Sequence, residues 1–73
     1  MNKQAEEILK KAAFYIGVLK SAINFRADEA GKNMWRGTSR GLLEAATILT
    51  GSIYDWDGNG IYENHGNEPI VNA

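Results

Sequence analysis

From about residue 3 to residue 29 the chain carries apolar side chains at helical spacing over an arc too wide for one neighbouring helix to cover. Projected at about 100° per residue, Ile8, Leu9, Ala12, Tyr15, Ile16, Leu19, Ala22 and Ile23 share one broad face. Phe14, Val18 and Phe25 form a second apolar stripe beside it, while Glu6, Lys10, Lys20, Ser21 and Asn24 lie away. A helix with so broad a stripe must be covered from more than one direction. Either the C-terminal part of the chain folds back over it or another chain does.

The chain has 73 residues, enough for a single small domain spanning 1–73 whose own core is marginal. Chains of this size usually add disulfides, a metal or a second copy. With no cysteine in the sequence, disulfides and thiolate metal sites are excluded. A hydrophobic content of 44% with 23% charged residues reads as globular. Glu7, Lys10, Lys11 and Lys20 interrupt the N-terminal apolar pattern, so it suits neither a membrane span nor a signal peptide. The expectation is a soluble, cytoplasmic protein.

A second helix is expected over about 34–54. Gly31 is suited to close the first helix and Lys32 to its negative end, with Asn33, Thr38 or Ser39 as alternative caps for the next. Met34, Trp35, Thr38, Leu42, Ala45, Ala46, Ile48, Leu49 and Ile53 then share a face. Gly37 and Gly41 fall one turn apart in this segment, where each costs about 1 kcal/mol relative to alanine. For Gly37 the simpler account is a helix that starts after it. For Gly41, close approach of a neighbouring helix or ligand stays open. Two such helices joined by a short turn make an antiparallel hairpin. The predicted fold class is therefore all-α: a two-helix hairpin dimerising into a four-helix bundle that covers Phe14, Val18 and Phe25. A turn-rich loop at 55–63 and a loosely held tail at 64–73 complete it, with Ile70 and Val71 able to dock as a short strand-like end.

The loop reads Asp-Trp-Asp-Gly-Asn-Gly-Ile-Tyr-Glu from Asp55 to Glu63. Side-chain oxygens at Asp55, Asp57 and Asn59 occupy alternate places, Gly60 permits a sharp turn, and Ile61 offers a carbonyl before Glu63. In this it resembles the EF-hand family and its shorter relatives, and the resemblance implies a Ca2+ site built from Asp55, Asp57, Asn59, Ile61 and Glu63. It extends over nine loop residues and the incoming helix only: the twelfth place is Gly66 instead of a bidentate glutamate, and no outgoing helix follows. What it implies is a single structural site completed by water. The same letters also spell a β-hairpin, because Asp-Gly and Asn-Gly between two aromatic-rich runs are strong turn signals. The two readings coexist.

His65 stands near Glu63 and Glu68, but a lone histidine in a glycine-rich tail reads as solvated surface, and no nucleophile or phosphate-binding motif accompanies it. The chain is expected not to be an enzyme. Residues 1–41 carry a net charge of +4 and residues 42–73 one of −5, which suits two partner surfaces or head-to-tail attraction between copies. Lys20, Arg26, Lys32, Arg36 and Arg40, with Phe25 and Trp35 among them, form a basic and aromatic cluster that a nucleic acid or a protein can use. The first expectation is a protein-interaction module using Trp35, Arg36, Arg40, Phe14, Val18 and Phe25. Small chains of this make-up resemble accessory proteins of phages and mobile elements, which occupy a host protein's surface. A calcium-binding module and a nucleic-acid binder are the alternatives.

Overall fold

The computed structural model describes residues 2–24 and 28–73. Two helices, α1 (Lys3–Asn24) and α2 (Glu29–Thr50), are followed by strands β1 (Tyr54–Asp57), β2 (Gly60–Glu63) and β3 (Val71–Asn72). The strands form an antiparallel sheet in the order β1-β2-β3. The helical hairpin is present, but the fold is not all-α. The C-terminal segment folds back as a sheet over one side of the helix pair, the first of the two ways in which the wide arc of α1 can be covered.

Side chains fix the helix ends. Asn2 Oδ1 accepts from the N–H groups of Gln4 at 2.8 Å and Ala5 at 3.3 Å, capping α1. Asp28 caps α2 and accepts from the Gly31 N–H at 2.7 Å. Gly31 is therefore not the end of the first helix; it lies in the first turn of the second, and Glu29–Thr50 runs without a break where a turn was expected at 29–34. The expected first helix of 3–29 likewise gives up Asp28 and Glu29 to the start of α2, while residues 25–27, Phe25 among them, lie outside the described residues. Gly37 sits inside α2 and not before it. The second helix stops at Thr50, short of the expected 54, because Gly51 takes the left-handed conformation at φ 77 and donates its N–H to the Thr47 carbonyl at 2.7 Å.

The core joins both helices to the sheet. Leu9, Ala12, Ala13 and Ile16 of α1 pack with Leu43 and Ala46 of α2, and Tyr54 and Ile61 enter from the strands. Leu9, Ile16 and Ile61 are the largest fully buried apolar side chains, each stabilising the fold by about 1.5–3 kcal/mol. Ala5, Ala12, Ala46 and Ser39 are also fully buried, and these small residues let the helices approach closely. Ser39 donates its hydroxyl to the Trp35 carbonyl at 2.9 Å, so its burial leaves no polar atom unpaired. On α2 the buried positions are Ser39, Leu43 and Ala46, about a quarter turn from the face read as apolar in the sequence. Of that expected face only Ala46 is buried; Met34, Ile48, Leu49 and Ile53 are exposed.

Residues 54–63 form a hairpin with Asp57 opposite Gly60 and a two-residue turn at Gly58-Asn59. Neither turn residue has positive φ, so the turn is not the type I′ that Asn-Gly commonly signals. Asp at the first place and Gly at the fourth are the preferences of a type I turn. The segment 64–73 is not merely a tail. Asn64 and His65 have φ of 51 and 62, and Gly66 donates to the Glu63 carbonyl at 3.0 Å, reversing the chain. β3 then pairs with β2, Val71 opposite Ile61 and Asn72 opposite Gly60. Phe14 and Val18 flank β3 across an open groove of about 550 Å³, Phe14 being 66% exposed and Val18 half-buried.

Candidate functional site

Register decides what becomes of the Asp55–Glu63 motif. Tyr54 and Trp56 of β1 turn toward the helices, leaving Asp55 and Asp57 on the outer face. Because the hairpin pairs Asp55 with Tyr62 and Tyr54 with Glu63, Tyr62 joins the two aspartates outside while Glu63 points inward. The five expected ligands are thus split between the two faces. Glu63 Oε2 accepts from the Tyr54 hydroxyl at 3.1 Å, and that hydroxyl lies 3.0 Å from Thr50 Oγ1. The Ile61 carbonyl accepts the Ile70 N–H at 2.7 Å. In this arrangement the five are not gathered about one position, and among the described residues no group of three or more His, Asp or Glu side chains converges.

The outer-face oxygens serve the hairpin itself. Asp57 Oδ1 accepts the Asn59 N–H at 2.8 Å and the Gly60 N–H at 3.3 Å, closing the turn. The Tyr62 hydroxyl donates to the same carboxylate, 2.9 Å from Oδ2 and 3.1 Å from Oδ1. The Asn59 N–H holds the Asp57 carboxyl below its ordinary range, with the Tyr62 hydroxyl, the Gly60 N–H and Lys20 adding to the effect and partial desolvation opposing it. Reciprocally, the bond to Asp57 pushes the Tyr62 phenol upward. Asp55 Oδ2 lies 3.0 Å from His65 Nδ1. His65 thus meets an acid other than the Glu63 and Glu68 nearest it in sequence.

The basic cluster is partly neutralised within the chain. Lys32 pairs with Glu29 at 2.7 Å, and Arg36 lies 3.9 Å from the same carboxylate while donating to Asn33 at 3.0 Å. Lys32 in turn holds the Glu29 carboxyl below its usual range. Lys20 donates to the Gly58 carbonyl at 3.3 Å, on the sheet side of the molecule. Arg40 is exposed beside the pocket formed with Glu44, Tyr54 and Asp55. Arg26 and Phe25 lie outside the described residues.

A continuous aromatic run crosses the helix pair instead. The Tyr15 ring stacks on Trp35 of α2 at 5.5 Å and 20°. Phe14 meets Tyr15 edge-on, also at 5.5 Å, with an angle of 74°. Offset stacking and edge contacts of this kind add about 0.5–1.5 kcal/mol per pair beyond burial. By helical spacing, Ile8 and Tyr15 on α1 and Trp35, Leu42 and Leu49 on α2 occupy the side of the hairpin opposite the sheet. All are half-buried except Leu49, which is 41% exposed. Of the expected partner surface, Trp35 belongs to this side; Phe14 reaches it only through Tyr15 and lines the groove beside β3 with Val18, while Arg36 and Arg40 lie toward the other flank of α2. Tyr15 was legible in the sequence only as one member of the apolar arc. Its contact with the Trp35 ring depends on the pairing of α1 with α2.

No family model matches the chain, and neither does a curated protein or a solved structure. No helix among the described residues is long and apolar enough to cross a membrane.

Proposed function

We propose that this chain is a non-enzymatic protein-interaction module that uses the side of its helical hairpin away from the sheet to occupy the surface of another protein. The observation that carries the reading is an asymmetry of covering. The sheet closes one side of the two helices, whereas Ile8, Tyr15, Trp35, Leu42 and Leu49 make an apolar strip on the other, with Phe14 at its border. Rigid aromatic anchors within such a strip are the usual centres of binding energy in protein interfaces. Trp35 and Tyr15 supply that rigidity because each ring is held by the other. Lys11 and Glu7 beside Leu49 give the strip a polar rim.

Capture of protein partners by the immobilised chain tests the proposal. Trp35→Ala loosens the hairpin as well as the surface, so Leu49→Arg and Phe14→Ser are the better variants, both residues being exposed. The expected outcome is loss of the captured proteins with an unchanged far-ultraviolet circular dichroism spectrum. An unchanged set captured by both folded variants overturns the assignment of this surface.

A further inference from the structure

A second unpartnered surface lies on α2, along the flank turned away from α1. Met34, Gly37, Gly41, Ala45 and Ile48 recur along it at helical spacing, with Met34 54% and Ile48 85% exposed. No charged residue interrupts this line. Gly37 and Gly41 sit between the two large side chains, inside an unbroken helix, and a methyl group added at either would meet nothing within 4 Å. The fold itself has no need of glycine at these positions, and alanine would make the better helix. A neighbouring helix that crosses α2 from outside does need it, because the absence of side chains lets two backbones come close.

We propose that this flank is the interface between two copies of the chain, with the two α2 helices antiparallel and related by a two-fold axis at Gly41. The line is self-complementary about that residue. Met34 and Ile48 lie seven residues to either side of Gly41. Antiparallel pairing therefore sets Met34 against the partner's Ile48, Gly37 against the partner's Ala45, and Gly41 against its own copy. Charge favours the same arrangement. Glu44 comes opposite position 38 of the second copy, about 3 Å along the helix axis from the partner's Arg40. Among the described residues neither Arg40 nor Glu44 has an ion pair within its own chain, although they are one turn apart. The second copy supplies the missing counter-charge to both, and the helix dipoles oppose. The surface differs from the sheet-distal strip, so this inference stands apart from the proposed partner binding.

Sedimentation equilibrium of the whole chain, from about 1 μM to about 1 mM, tests it. The expected mass is twice the 8.0 kDa of one chain. Gly41→Gln fills the crossing point and is expected to give a single-chain mass with helical circular dichroism retained; Ile48→Ser is expected to do the same without touching the glycine. Arg40→Glu and Glu44→Arg are each expected to weaken association about tenfold, and the double variant to recover most of the loss. A single-chain mass for the unaltered protein over the whole range overturns the proposal. So does a dimer that survives both Gly41→Gln and Ile48→Ser, or a charge-exchanged double variant no tighter than either single one.

Discussion

Replacing Gly60 with alanine is expected to unseat β3 and leave the rest of the fold in place. Gly60 has φ 157 and lies against the backbone of Val71 and Asn72. A Cβ at this position collides with the Val71 carbonyl oxygen and comes within 3.0 Å of Pro69 Cβ and 3.2 Å of Asn72 Cα. Two of these neighbours are backbone, so rotation of a side chain does not relieve the crowding. What the strand loses on leaving is the Ile70 N–H bond to the Ile61 carbonyl at 2.7 Å and the Ala73 N–H bond to the Asn59 carbonyl at 3.0 Å. Each contributes about 0.5–1.5 kcal/mol net. The half-buried Val71 side chain adds about 1 kcal/mol of apolar burial. The total is about 2–4 kcal/mol. A domain of this length shifts by about 4–8 °C per kcal/mol, which places the fall in Tm at about 8–32 °C. Thermal melting followed by circular dichroism gives the shift, and amide hydrogen exchange locates it. Ile70 and Ala73 should lose protection before Leu9 or Ile16 does. Gly58→Ala is the control: a Cβ there meets nothing within 4 Å, its φ is not positive, and the effect should stay within about 0.5 kcal/mol. A Gly60→Ala shift no larger than that of Gly58→Ala, with Ile70 still protected, refutes the reasoning.

Asp57 should give the hairpin a pH dependence of defined sign. Its folded pKa lies below 3.8, so its contribution is present above that pH and is lost as pH falls through the lower, folded value. Asp57→Asn keeps a carbonyl oxygen for the Asn59 N–H but removes the charge. The stability difference from the unaltered chain, measured by urea unfolding from pH 5 downward, should therefore shrink below pH 3.8. The same variant should bring the raised phenol pKa of Tyr62 back toward 10.0, read as phenolate absorbance during alkaline titration. Gly51→Ala should cost about 1 kcal/mol in chemical unfolding, since the residue sits at φ 77 with open space around it and pays for conformation alone; Gly51→Asn should cost less. A double-mutant cycle on Tyr15→Ala and Trp35→Ala should return a coupling of about 0.5–1.5 kcal/mol, and a value near zero would remove the stack as a clasp between the helices.

Much of the helical hairpin was legible because Leu9, Ala12, Ile16 and Leu19 repeat at the spacing of one helix face. The break between helices was misplaced for a local reason. Gly31 resembles a helix terminator in isolation, yet its N–H is the group that the Asp28 carboxylate caps. The rotation of α2 was not legible, because the face that packs on α1 is built from Ser39, Leu43 and Ala46, while larger apolar residues stand outside. Choosing the most apolar face therefore selects the wrong one. The loop motif is divided by parity. Within one strand, odd-numbered residues share a face, but a two-residue turn pairs odd with even, as Tyr54 with Glu63 and Asp57 with Gly60. Glu63 consequently leaves the side that Asp55 and Asp57 occupy. β3, only two residues long, has no periodic signal of its own; the space left by Gly60 and the turn at Asn64-His65 create its place.

The aspartates of β1 have a consequence for how the molecule behaves in a crowd. β1 is a border strand, and its sequence of tyrosine and tryptophan alternating with acids would, without those acids, be a sticky ribbon inviting further strands from other molecules. Carboxylates at every second position surround that border with water and like charge. Asp55 and Asp57 thus set charge beside the one border of β1 that no strand of the sheet covers, the kind of placement that discourages an open strand edge from pairing with a foreign one.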